Sequence, residues 1–127
     1  MHIDLTYTWS ALPRLFQGAV LTLEVSLASM AVSVVLALPL TLLQTSGIKA
    51  ASLAVRAYIS YVRGTPLLVQ ILLVYYILPL TGLELAPFAA GVVARGFSSA
   101  AFTTEIMRGG LTAIPKGQVE AAKSLGL

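Results

Sequence analysis

Cysteine is absent from the 127 residues, and histidine occurs once, as His2. Without a thiol there is no disulfide framework, no thiolate metal site and no cysteine nucleophile, and the redox compartment stays open. A lone histidine in an N-terminal tail has no partners for a metal ligand set. Charge is scarce too: 10% of residues are charged against 57% hydrophobic, with a mean hydropathy of +0.90. A soluble domain of that composition would lack the polar residues to cover its surface, so the chain reads as an integral membrane protein. Its net charge of +3 is too small and too dispersed for nucleic-acid binding. There is no Gly-rich phosphate loop, no histidine beside a nucleophile and no carboxylate pair at plausible spacing, so no catalytic residue, cofactor or metal is expected. No basic cluster precedes an apolar run near Asp4, and the start is read as a mature tail instead of a cleavable signal.

What the chain does contain is apolar stretches divided by charges. A bilayer-crossing helix needs about 20 mostly apolar residues. No charge falls between Val25 and Ile48, which predicts a first span over about 18–44, with Glu24 inside it and Gly47 stopping it. Gly64 to Leu83 is also charge-free. There Thr65 is expected to cap, and Pro66 to begin, a second span over about 66–80. A third, over about 85–104, is interrupted only by Arg95, after a tight turn at Pro79 and Gly82. The fold class expected is all-α and polytopic, with three transmembrane helices.

Between the first two spans, Lys49, Ser52, Arg56, Ser60 and Arg63 recur at helical spacing as a single polar stripe. The spacing reads as a helix lying at the membrane surface or extending the second span into the cytoplasm, in preference to a nucleotide or lipid-phosphate site. Basic residues are retained in cytoplasmic loops. Lys49, Arg56 and Arg63 in the first loop, and Arg108, Lys116 and Lys123 near the C-terminus, therefore predict an outward N-terminus and a cytoplasmic C-terminal segment. The tail has Arg14 set against Asp4, and the turn before span three carries Glu84.

Small residues form two stripes on the first span, Thr22, Ser26, Ser29 and Ser33 on one side and Glu24, Ala28 and Ala31 on another, as expected of a helix packed by neighbours. Arg95 is expected near the bilayer centre, where an arginine costs roughly 2.5–3.5 kcal/mol on insertion scales. It shares a helix face with Gly91, Ser98, Phe102 and Glu105. Two readings stand: Arg95 fastens spans one and three by pairing with Glu24 or helix carbonyls, or, with Ser98 and Glu24, it faces a pathway and contacts a carboxylate there, of a solute or of an acidic side chain.

Three ordered blocks resemble one family. Arg63-Gly64-Thr65-Pro66-Leu67-Leu68-Val69-Gln70, followed by Tyr75-Tyr76 and Leu78-Pro79, is similar to the signature of permeases for polar amino acids and opines in ABC importers. Ala100 to Ile106 with Arg108-Gly109-Gly110, then Ile114 to Gln118 with Glu120-Ala121-Ala122 and Gly126, follow in that family's order. The resemblance covers nearly all of the chain from about Gly18. It implies a bacterial inner-membrane permease subunit built on a five-helix core, working with ABC ATPase subunits, a second permease subunit (the same or a relative) and an extracytoplasmic amino-acid-binding protein. ATP would be bound by another subunit. In the family the chain runs on into further spans after the coupling loop, so residues 1–127 are expected to be an N-terminal portion of such a transmembrane domain. Arg95 stands where these permeases usually have an apolar residue.

The segment 115–127 fits a coupling role on physical grounds as well. Pro115 at the entrance and Gly126 near the exit delimit a short rigid helix. Ala121 and Ala122 leave a flat contact surface, and Glu120 offers a charge to a basic partner residue. A subunit of an ATP-independent secondary carrier or channel, or a purely structural membrane subunit, is the alternative, and neither needs such a segment. For Arg63 to Pro66, a helix entrance with an interfacial anchor is weighed against a direct substrate role.

Overall fold

The computed structural model describes residues 5–127, with side chains from Trp9 onward, so His2 and Asp4 lie outside the described residues. Among these residues the chain is all-α: α1 Leu5–Thr45, α2 Lys49–Gly64, α3 Leu67–Leu72, α4 Pro87–Thr112 and α5 Lys116–Ser124. A π-helical turn (Leu73–Ile77) and a 3₁₀ turn (Leu78–Thr81) continue α3.

Helix α1 begins at Leu5, well before the Gly18 expected from charge, and carries Pro13 and Pro39 inside it. Charge marks where a helix can enter an apolar phase, whereas the backbone ladder continues through polar residues such as Gln17 and Arg14. Thr45 ends α1, and Gly47, at φ +78°, turns the chain toward α2. Similarly, α4 runs to Thr112, past the expected boundary at 104.

The second span departs most from expectation. Only Leu67–Leu72 is α-helical, and Thr65 does not cap it. Instead the Thr65 hydroxyl donates back to the Tyr61 carbonyl at 2.8 Å, closing α2, and Pro66 occupies the N-cap position. Pro66 disfavours a helical conformation at the residue before it, and Thr65 is extended (φ −112°, ψ 128°). The result is a 106° bend between α2 and the Leu67–Thr81 segment, which excludes a straight extension of the second span by α2.

By length and apolarity, α1 from Trp9 to Thr45 is the one described helix that qualifies by itself to cross a membrane; α2 and Leu67–Thr81 qualify jointly as the bent pair. Helix α4 has the length, at 26 residues, but Arg95 and its many small and hydroxyl side chains make it less apolar.

The most extensive packing is between α1 and α4. The two helices are tightly packed at Gly96, where a Cβ would lie 2.6 Å from Val32 Cγ1 and 3.3 Å from the Ser29 carbonyl oxygen. Ser29, Ser33, Ala37 and Thr41 on α1 and Ala100, Ala101 and Thr104 on α4 are buried along this seam. The Ser33 and Thr103 hydroxyls are 2.8 Å apart. Small residues let two backbones meet closely enough for dispersion and weak polar contacts to hold helices where no hydrophobic force separates protein from lipid. Of the two stripes expected on α1, Ser29 and Ser33 face this seam, while Thr22, Glu24 and Ala31 are exposed.

Helix α2 packs across the pair through Val55, Ile59 and Val62, which cluster with Ala101 and with partly buried Leu40 and Tyr58. The Tyr58 hydroxyl donates to the Phe97 carbonyl, and the two rings meet edge to face with centroids 5.4 Å apart. The apolar side of α2 is thus buried, and its polar stripe is turned outward.

Candidate functional site

Where α1 ends, a carboxylate joins two helices. Glu105, about two turns before the end of α4, accepts a hydrogen bond at Oε1 from Gln44 Nε2 (2.9 Å) and from Arg108 Nε (3.2 Å). Its Oε2 accepts one from Arg108 Nη2 at 2.8 Å. Gln44 is the penultimate residue of α1, so this cluster pins the end of α1 to α4. The i,i+3 spacing places Arg108 over the same helix face as Glu105, and the guanidinium meets the carboxylate at two points. Among the described residues it is the one ion pair within 4 Å.

Beside it opens a cleft of about 660 Å³, lined by Gln44, Arg56, Ser60, Arg63, Glu105 and Arg108. Three guanidinium groups face one carboxylate, and Arg108 is already committed to it. Gln44 Oε1 is buried here without a hydrogen-bond partner. Exchanging its amide atoms would set an oxygen against the Glu105 carboxylate, so the assignment with nitrogen toward Glu105 stands.

Arg63, Gly64, Thr65 and Pro66 form the corner between α2 and α3, and their backbone shape is held from the far side by Gln70. The Gln70 amide donates to the Thr65 carbonyl (2.9 Å) and the Val62 carbonyl (3.2 Å), satisfying acceptors that the end of α2 leaves open. Within this chain the Arg63–Pro66 run works as a bent helix junction, with Arg63 alone of the four carrying a charge into the cleft.

Helix α5 stands apart. It starts after Pro115, at Lys116, and among the described residues it packs on no other helix. Its end is closed by Gly126 at φ +78°, with Leu127 N–H donating to the Ala122 carbonyl (3.0 Å) and Gly126 N–H to the Lys123 carbonyl (3.1 Å). This is a Schellman closure, whose left-handed position glycine adopts without penalty. Glu120 and Ala121 are exposed and Ala122 is half-buried. Among the described residues this short helix, closed at its end, leaves its sides unpacked.

Arg95, Ser98 and Glu24 do not converge in this chain. Ser98 is buried, whereas Arg95 and Glu24 are exposed, and no ion pair within 4 Å joins them. The face expected to run Gly91, Arg95, Ser98, Phe102, Glu105 turns both ways, because Phe102 is also exposed. Among the described residues no group of three or more His, Cys, Asp or Glu side chains is placed to hold a metal ion.

Sequence reasoning missed Gly96, the Gln44–Glu105–Arg108 cluster and Gln70. The first two left a signal: Gly96, Ala100 and Thr104 repeat a small residue every fourth position, a pattern of close helix contact, and Glu105 and Arg108 stand three apart. For Gln70, which reaches back five residues around a bend, there was none.

Three comparisons bear on this arrangement. Residues 45–127 match the family described as binding-protein-dependent transport system inner membrane component. The arginine transport system permease protein of Bacillus subtilis (strain 168) is 38% identical over 128 residues, covering all of this chain and 58% of the relative. The octopine transport system permease protein of Rhizobium radiobacter is 38% identical over 141 residues, covering 100% of this chain and 56% of its own length. The glutamine transport system permease protein of Escherichia coli (strain K12) is 36% identical over 129 residues, with 100% and 59% covered. A crystal structure of an amino acid ABC transporter with histidines superposes with a TM-score of 0.86 at 38% identity, over 100% of this chain and 59% of that one. The chain thus spans less than two thirds of the length of each of these proteins.

Proposed function

This chain belongs to the family of binding-protein-dependent transport system inner membrane components, and from that membership we propose that it is permease sequence of an ATP-driven amino acid uptake system, forming part of the translocation pathway and coupling it to a separate ATPase. The observation that carries the reading is α5, an exposed helix closed at its C-terminal end with no partner helix among the described residues, in a sequence similar along its whole length to amino acid permeases. A carrier or channel working without ATP has no use for such a helix, and the family weighs against it.

The partners of the complete permease are ABC ATPase subunits, a second permease subunit and an extracytoplasmic amino-acid-binding protein. Hydrolysis takes place on the ATPase and not on this chain. Helix α1, the Leu67–Thr81 segment and α4 cross the bacterial inner membrane, with the N-terminus outside and Glu120 in the cytoplasm. The basic residues of the first loop and of the C-terminal segment support that orientation. The test is uptake in proteoliposomes holding the complete permease and its ATPase. Labelled polar amino acid, presented with the binding protein on the face opposite Glu120, should accumulate only when ATP is supplied on the Glu120 face. Uptake indifferent to ATP would overturn the reading.

Arg95, Ser98 and Glu24 are assigned to the pathway in this reading. An unpaired arginine near the bilayer centre carries a high insertion cost, which a position facing a polar cavity relieves. Arg95→Met is expected to leave the assembled complex intact and to raise the KM for the amino acid by about tenfold, the loss of one charge-assisted contact. Loss of assembly with unchanged transport per complex would instead make Arg95 a fastener between spans.

A further inference from the structure

The cleft beside Glu105 has a composition that the coupling reading does not use. Arg56, Ser60 and Arg63 line one wall, at offsets of four and seven on α2, and hence on one face within about 10.5 Å of helix rise. Among the described residues neither arginine is in an ion pair. Arg108, on the opposite wall, is held by Glu105 at two points. Three guanidinium groups and a serine hydroxyl therefore share a single carboxylate, Glu105, whose charge Arg63 also feels, which leaves the cleft with an excess of positive charge. The cleft is thus short of an anion.

Its depth narrows the choice of ligand. Gln44 is the penultimate residue of the long apolar helix α1, and Lys49 begins α2 just past the corner at Gly47. On the membrane placement proposed above, the cleft lies at the cytoplasmic end of α1, at the level of lipid phosphate groups. Basic pockets between membrane helices on the cytoplasmic side recognise lipid phosphates.

We propose that the Arg56–Ser60–Arg63 face, closed by Gln44 and the Glu105–Arg108 pair, binds the headgroup of an anionic phospholipid, with the phosphodiester on the two arginines. The proposal reverses the reading of the polar stripe from spacing alone, because the stripe now has an opposite wall. It rests on the membrane placement of the chain and is independent of what the permease transports.

The test is native mass spectrometry of the full chain in detergent, titrated with phosphatidylglycerol, phosphatidylcholine or inorganic phosphate. Wild type should retain one phosphatidylglycerol in preference to phosphatidylcholine, and millimolar inorganic phosphate should fail to displace it. The double variant Arg56→Gln/Arg63→Gln should bind phosphatidylglycerol about 30-fold more weakly, from the contribution of two basic residues near a membrane surface. A control with the same charge removed elsewhere, Arg14→Gln/Lys116→Gln, should bind as wild type does. Ser60→Asp, which keeps both arginines and places a carboxylate between them, should abolish selective retention and provides a second reading if the double variant folds poorly. Equal retention of the two lipids, unchanged binding by Ser60→Asp, or displacement by inorganic phosphate would each overturn the proposal. The last would mark a site for soluble phosphate, and the first lipid association that does not depend on headgroup charge.

Discussion

Gly96→Val is expected to separate α1 from α4 and to cost about 3 kcal/mol or more, at the upper end of what overpacking does to a close-packed contact. A Cβ at this position falls 2.6 Å from Val32 Cγ1 and 2.8 Å from Val32 Cβ. Val32 is β-branched and stiff at χ1, and the third neighbour is backbone, the Ser29 carbonyl at 3.3 Å. Nothing flexible can therefore yield except the helices themselves. Glycine inside a helix is otherwise unfavourable by about 1 kcal/mol relative to alanine, so its presence in the middle of α4 reflects this contact. Thermal unfolding of the purified chain in detergent should show the loss. Gly110→Val, where the added atom meets nothing within 4 Å, should leave the α1–α4 contact intact. Val32→Ala combined with Gly96→Ala should restore much of the stability, since the pair shares one volume. A Gly96→Val chain melting with the wild type would show that the two helices are not held at this spacing.

The second large effect concerns coupling. In the complete permease Glu120→Lys should weaken ATPase docking by about tenfold or more, because like charges brought together at an interface cost several kcal/mol. It should also uncouple hydrolysis from transport. Lysine is as good a helix former as glutamate, and Glu120 is exposed, so α5 itself, and with it expression and membrane insertion, should survive. Glu120→Gln removes the attraction without adding repulsion and should fall between. Co-purification of the ATPase and substrate-stimulated hydrolysis are the readouts. If both stay at wild-type levels in Glu120→Lys, the partner does not meet α5 through this charge.

How much of this was legible beforehand depended on the range of the interaction concerned. The helical class, the stop at Gly47 and the short C-terminal helix between Pro115 and Gly126 follow from features within a few residues of each other. The corner at Thr65 and Pro66 was visible as a feature but misassigned: a threonine before a proline can cap the next helix or close the last one, and only the 106° bend decides between them. Gly96 belongs to a small-residue repeat that signals close contact, but its partner was not legible, because Val32 lies on another helix. The cleft was unreadable for the same reason. Five polar residues at helical spacing describe one wall, and Gln44, Glu105 and Arg108 had each been assigned to something else: a helix end, a helix face and a topology signal.

The π turn at Leu73–Ile77 has its own consequence for reading and altering this sequence. Hydrogen bonds there close over one residue more than in an α-helix, so the turn behaves as a one-residue insertion absorbed within a continuous helix. Each residue of an α-helix advances the wheel by about 100°. Everything after Ile77 is therefore rotated by roughly that angle from where an uninterrupted count from Leu67 would place it, and a helical wheel drawn through Tyr75 and Tyr76 assigns the later residues to the wrong side. Deleting one residue from the turn could restore ordinary α-geometry locally while turning Leu78 to Thr81 toward different neighbours. In this stretch the number of residues determines orientation as much as their identity does.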